Sequence, residues 1–127
     1  MAMPGVRETV VGYCGGADAD PTYQSMGDHT ESIRVTIDPR EISLEEIYKL
    51  FFTMHQPMPI AFTSRQYRSA IFFADEAQRG AAEAVAASLS QSNSLVKHTA
   101  IERAGPFYRA EEYHQKFLSK AKGRIAI

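Results

Sequence analysis

The stretch "ESIRVTIDPREISLEEIYKLFFTMH", residues 31–55, decides the fold. Ile33, Val35 and Ile37 alternate with Ser32, Arg34 and Thr36. A period of two is the mark of a strand with one buried face. Asp38-Pro39 then turns the chain. Ser43 and Glu46 stand three apart, as a helix capping box requires. Leu44, Ile47, Leu50, Phe51 and Met54 follow at helical spacing. A half-buried strand leading into an amphipathic helix needs further strands beside it and a shared core beneath.

Both flanks supply such elements. "RETVVGY" before it is short, β-branched and stopped by Gly15-Gly16, so it predicts a strand. "GGADADPTYQSMGDHT" is a long loop rich in Gly, Asp, Pro and Thr, a type that commonly carries function. After the helix, Pro57 and Pro59 keep "QPMPIAFTS" non-helical. "YRSAIFF" predicts a strand, and "DEAQRGAAEAVAASL" an alanine-rich helix with acidic residues in its first turn. "SLVKHTAIE" predicts a strand, "AGPF" a turn and "AEEYHQKFLSKAK" a final helix. The resulting order is β-loop-β-α-loop-β-α-β-α. It implies an α+β fold, with a mixed β-sheet and packed helices in a single domain over residues 1–127.

Composition narrows the function. The chain has 127 residues, 44% apolar, with a net charge of −1 and one cysteine. One core is expected at this length, and disorder is not. Basic runs are absent, which argues against nucleic acid or an anionic membrane as partner. A single cysteine allows no internal disulfide and fits a reducing compartment. The sequence has neither a signal-peptide pattern nor an 18-residue apolar run, so a cytoplasmic protein is expected. Gly15-Gly16 reads as a turn, because Asp18 and Asp20 beside it would repel a phosphate. Those aspartates lack the remaining positions of a calcium loop. His29, His55, His98 and His114 form no HxxxH pair, so neither a metal nor another cofactor is expected.

Four side-chain types remain as candidates. Cys14 is either a nucleophile served by nearby backbone N–H groups or a small buried residue at a strand end. His29 and Glu31, two apart at the mouth of a strand, are either a solvated strand end or part of a pocket. In a pocket, burial would keep the Glu31 carboxyl protonated and able to donate. Tyr13, Tyr23 and Tyr67 each pack in the simplest reading. Tyr23 and Tyr67 gain chemical meaning if they converge on Glu31.

"GVRETVVGYCGG", "DPTY", "DHTESIRVTIDPREISLEEIYKLFFTMHQP", "RQYRSAIFF" and "FYRAEEYHQKFL" occur in that order from Gly5 to Leu118. Together they resemble the A-type peptide methionine sulfoxide reductases. The resemblance implies reduction of the S-epimer of methionine sulfoxide, in peptides or free. In that family a cysteine thiolate attacks the sulfoxide sulfur, while a glutamic acid and two tyrosines bind and protonate its oxygen. A sulfenic acid forms and is returned to thiol by a second thiol and a thioredoxin-like reductant. The tyrosine of the family's PTY motif falls on Tyr23, its acid on Glu31 and its QYRS tyrosine on Tyr67. His29 joins them as a substrate-binding candidate.

The same resemblance implies a departure. The family's nucleophile sits in a Gly-Cys-Phe-Trp string on a first strand and helix, and this sequence has neither that string nor any tryptophan. The expected fold therefore lacks that first strand and helix, and an exposed sheet edge would favour a homo-oligomer. Three functions follow. One is a peptide-methionine (S)-S-oxide reductase, with Cys14 or an upstream segment as nucleophile. Another is a catalytically inactive binding module for methionine sulfoxide or a related polar sulfur group. The third is a truncated gene product.

Overall fold

The computed structural model describes residues 4–16, 29–64, 67–111 and 124–127. Within them run β1 (Val6–Cys14), β2 (Thr30–Ile37), α1 (Leu44–Thr53), β3 (Ala70–Phe73), α2 (Glu76–Ser90), β4 (Ala100–Arg103), β5 (Tyr108–Arg109) and β6 (Arg124–Ala126). The six strands form one mixed sheet in the order β4-β3-β6-β2-β1-β5. β1 is antiparallel to β2 and β5, whereas β6 is parallel to both β2 and β3. β3 and β4 are parallel neighbours joined through α2, the connection that parallel pairing demands.

The register of β1 against β2 sets the faces. Val11 stands opposite Ile33, Tyr13 opposite Glu31 and Cys14 opposite Thr30. Alternation sends Val11, Tyr13, Ile33 and Val35 to one side, where they form the main core with Ile47, Tyr48 and Phe51 of α1 and Ala81, Ala82 and Val85 of α2. Fully burying each larger apolar side chain there contributes about 1.5–3 kcal/mol. The alanines of α2 let it approach the sheet and α1 closely. On the opposite face lies a smaller cluster of Cys14, Ala70, Phe72 and Ala126, with Ala100, Ala104 and Phe107 packed on it.

Local signals act as the sequence implies. Ser43 Oγ accepts from the Glu46 backbone N–H at 3.1 Å, and the Glu46 carboxylate accepts from the Ser43 N–H at 3.2 Å. Asp75 caps α2 by accepting from the Gln78 N–H at 2.9 Å. The turn after β2 is held by Asp38, whose carboxylate accepts from Arg7 at 2.7 Å and from the Arg40 guanidinium at 3.0 and 3.1 Å. Those bonds hold the Asp38 carboxyl well below the usual carboxylate range.

Several expectations are corrected. The segment expected to be strand over 94–102 begins as a 3₁₀ helix, Ser94–His98, and only Ala100–Arg103 is strand. Asn93 caps that helical turn by accepting from the Leu95 N–H at 3.1 Å, and the turn lets Val96 insert into the core. β3 starts at Ala70, later than expected, because the Tyr67 N–H closes a turn on the Ser64 carbonyl at 3.1 Å. β5 and β6 have no counterpart among the expected elements. β1 is not a bare edge along its whole length. β5 pairs with it at Gly12 and Tyr13, leaving Val6–Val10 without a strand partner on that side among the described residues. The expected final helix lies outside the described residues except at its start. Among the described residues, no helix is long and apolar enough to cross a membrane.

The packing around Gly12 and the Asp38 turn can each be tested by unfolding. A Cβ on Gly12 would stand 2.4 Å from both the Phe107 ring and the Tyr108 carbonyl oxygen. The carbonyl belongs to the paired strand and cannot swing away. Gly12→Ala therefore lowers unfolding stability by about 1–3 kcal/mol, read by urea denaturation. Asp38 binds its proton more weakly folded than unfolded, so its contribution is complete above the unfolded pKa of about 3.9 and fades below it. Asp38→Asn lowers Tm at pH 7, and the gap from wild type narrows as pH falls below about 4.

Candidate functional site

One rim of the sheet collects the chemistry. There β1 ends at Tyr13-Cys14, β2 begins at Thr30-Glu31, and β3 and β6 begin at Ala70 and Arg124. His29, Thr30, Glu31 and Ser32 are all buried on this rim. Glu31 is 1% exposed, and its Oε2 has no hydrogen-bond partner among the described residues. Leaving a buried carboxyl oxygen without a hydrogen-bond partner is costly, and it marks a position where a further group is wanted. His29 meets the ring of Tyr108 edge-on, with centroids 5.4 Å apart.

Tyr67 precedes β3 and is 36% exposed, the more open side of the rim. It is joined to Glu31 by a residue that no sequence motif marks. Arg124 Nε donates to the Glu31 carbonyl at 2.8 Å, and its Nη1 donates to the Tyr67 carbonyl at 3.4 Å. The guanidinium carbon lies 5.3 Å from the centre of the Tyr67 ring, a cation–π distance. Burial pushes the Arg124 pKa down to about 10, opposed in part by the charges of Glu31 and Tyr67. Arg124 thus keeps its proton at neutral pH. Its only sequence signal is a basic residue heading a short apolar run, "RIAI", too short to predict a strand.

A second buried arginine braces the same rim. Arg68 donates to Thr30 Oγ1 at 3.0 Å and makes a two-pronged pair with the Glu102 carboxylate at 2.6 and 3.0 Å. Next to it Gly15 turns the chain at φ +81°, and a Cβ there would lie 2.5 Å from the Phe72 ring.

His55, to which the sequence assigns no role, belongs to a hydroxyl chain. Its Nδ1 faces the Phe51 carbonyl at 3.1 Å and its Nε2 faces Ser69 Oγ at 2.7 Å. Burial lowers its pKa, which favours the neutral ring. A carbonyl only accepts, so Nδ1 carries the hydrogen and Nε2 accepts from Ser69. Ser69 in turn accepts from Thr99 at 2.9 Å. The chain ties the end of α1 to the segments entering β3 and β4, two residues beyond Tyr67.

Cys14 lies elsewhere. It stands opposite Thr30, one step from the Tyr13–Glu31 pair, so alternation puts its side chain on the face away from Glu31. The thiol is fully buried and approaches Ser32 Oγ at 3.6 Å. Burial pushes its pKa up to about 11. Tyr23 falls outside the described residues. The structure therefore brings Glu31, Tyr67 and Arg124 together, leaves His29 beside them against Tyr108, and puts the sheet between Glu31 and the Cys14 thiol.

With this geometry in place, the comparisons define the class. A family described as peptide methionine sulfoxide reductase matches residues 1–126. The chain belongs to that family. It is 38% identical over 131 residues to peptide methionine sulfoxide reductase MsrA 1 of Rhizobium meliloti (strain 1021), covering 93% of this chain and 60% of the relative. It is 40% identical over 126 residues to MsrA of Pseudomonas fluorescens, covering 92% and 59%. The chain thus spans about 60% of the length of these relatives. Among solved structures, reduced Mxr1 from Saccharomyces cerevisiae superposes with a TM-score of 0.81 at 27% identity, covering 91% of this chain and 72% of that one. Methionine sulfoxide reductase A of Corynebacterium diphtheriae gives 0.73 at 32% identity, covering 93% and 65%.

The placement of Cys14 sets its reactivity. Burial pushes its pKa up to about 11, so the thiol stays protonated at pH 7, and the site is closed to reagents. Native protein should resist iodoacetamide at pH 7, and label should enter only on unfolding. Rapid alkylation of the native protein would contradict this placement.

Proposed function

We propose that this chain is the sulfoxide-recognising part of a peptide-methionine (S)-S-oxide reductase. Its ligand is methionine sulfoxide, in peptides or free. Glu31 and Tyr67 hold the sulfoxide oxygen, Tyr23 joins them, and His29 backs the pocket. The observation that carries this reading is the buried Glu31, whose Oε2 has no hydrogen-bond partner among the described residues and whose carbonyl is bridged through Arg124 to that of Tyr67, at positions that match the family's oxygen-binding motifs. A sulfoxide oxygen that shares a proton with that oxygen would relieve its cost.

Cys14 is a packing residue in this proposal. A thiol on the far face of the sheet cannot reach a sulfur whose oxygen lies at Glu31. An attacking thiolate and an oxygen-binding acid must both touch the same S–O group. The reducing thiol therefore comes from outside residues 1–127, and the thioredoxin-like reductant acts on that thiol. A second reading has support from the same observation. With one buried cysteine, residues 1–127 by themselves bind methionine sulfoxide without reducing it. Both readings place the ligand identically and differ only in where the thiol originates. The Val6–Val10 edge of β1 is the proposed surface for a homo-oligomer, and a cytoplasmic location is proposed with it.

Binding is the direct test. A peptide containing methionine S-sulfoxide should bind more tightly than its methionine counterpart in an NMR titration. Glu31→Gln should weaken the sulfoxide peptide about tenfold, the scale of one buried hydrogen bond. Cys14→Ser should leave binding unchanged. Equal affinity for sulfoxide and sulfide would overturn the proposal. Turnover with dithiothreitol that disappears in Cys14→Ser would overturn the assignment of Cys14.

A further inference from the structure

The strands that carry the two oxygen-site residues are not neighbours. β2, which begins at Thr30-Glu31, and β3, which follows Tyr67, are separated in the sheet by β6. β6 is three residues long, with Ile125 opposite both Ile33 and Ile71. The spacing between Glu31 and Tyr67 is therefore set by a strand from the far end of the chain. Arg124 opens that strand at the level of Ala70, on the rim where the site lies.

Arg124 is 6% exposed. A guanidinium taken from water costs several kcal/mol unless it is closely partnered. Its partners include the carbonyl of Glu31, the carbonyl of Tyr67 and the face of the Tyr67 ring. Each of these belongs to one of the two site residues. A planar fork with several donors can bridge carbonyls on two different segments, and a single ammonium at the end of a flexible stem cannot hold both in a fixed geometry. A cation on this rim would also favour the partly negative oxygen of a sulfoxide bound between Glu31 and Tyr67.

We propose that Arg124 is a positioning residue of the sulfoxide-oxygen site, fixing the Glu31–Tyr67 spacing by bridging their carbonyls across the sheet. This rests on the reading of Glu31 and Tyr67 as the oxygen-binding pair. It assigns the C-terminal strand a role in recognition that the family's oxygen-binding motifs do not contain.

Arg124→Lys and Arg124→Met, made in the full chain, test it. Circular dichroism and Tm report the fold, peptide titration reports binding, and amide resonances of Glu31 and Tyr67 report the bridge. The lysine variant keeps the charge and the aliphatic stem but not the fork. Positioning requires that both variants, native by circular dichroism, lose about tenfold in sulfoxide affinity, while affinity for the sulfide peptide stays level. The amides of both Glu31 and Tyr67 should shift together in both variants. Restoration of wild-type affinity by lysine would show that charge alone suffices and would overturn the proposal. So would a loss that vanishes on cooling to temperatures where the variants are fully folded, or loss of the fold in both variants. If wild-type protein fails to prefer sulfoxide over sulfide, the functional reading falls. The bridge is then judged by the amide resonances alone: coupled shifts support it, and unmoved Glu31 and Tyr67 amides overturn it.

Discussion

The register of β1 against β2 is the constraint on which the rest of the molecule depends. Tyr13 opposes Glu31 and Cys14 opposes Thr30. A slip of one residue would turn every side chain of β2 to the other face. Val35 and Ile33 would leave the helices, Glu31 would leave its rim, and the Cys14 thiol would change its neighbours. The register is pinned by a large core on one face, in which Val11 and Val35 meet α1 and α2, and by a smaller one on the other. The glycine at position 12 adds to it, since the close approach of Phe107 and the Tyr108 carbonyl leaves no room for a side chain there.

Polar burial on one rim is the second organising feature. Arg68 and Arg124 are both buried, and both are bonded to groups on β2 or just before β3. Arg68 is neutralised by the two-pronged pair with Glu102, which also fastens β4 to the segment entering β3. Among Arg124's partners are two carbonyls and an aromatic face, and it is buried more deeply than a surface cation. Burial lowers its pKa, opposed in part by Glu31 and Tyr67. The His55–Ser69–Thr99 chain adds a third anchor two residues beyond Tyr67. Three independent ties thus converge on the short segment from Tyr67 to Ser69. Such redundancy is expected where a side chain must be held at fixed spacing from a partner on another strand.

Much of this was legible in the sequence. The alternation in 31–37, the Ser43–Glu46 box and the stripe through Ile47 and Phe51 each report a local preference that the fold satisfies. The capping box is complete in the structure because its two bonds involve residues three apart and need nothing else. Expectation failed where distant groups competed with local pattern. The apolar residues at 94–98 suggested a strand, but the Asn93 cap and the core position of Val96 favour a tight helical turn. "RIAI" was too short to be distinguished from a tail, yet a slot between two distant strands makes it an interior strand.

The sequence by itself determined the family, the residues that match its oxygen-binding motifs and most of the longer elements. Periodicity, caps and motif strings are local or one-dimensional, and so they survive without coordinates. The tertiary structure alone decided that Glu31 and Cys14 lie on opposite faces, because a strand end's side depends on the register with its partner. It alone placed Arg124, 93 residues from Glu31, between that residue and Tyr67. Pairing between strands so far apart in the chain depends on how the whole sheet closes, and no short window of sequence encodes it.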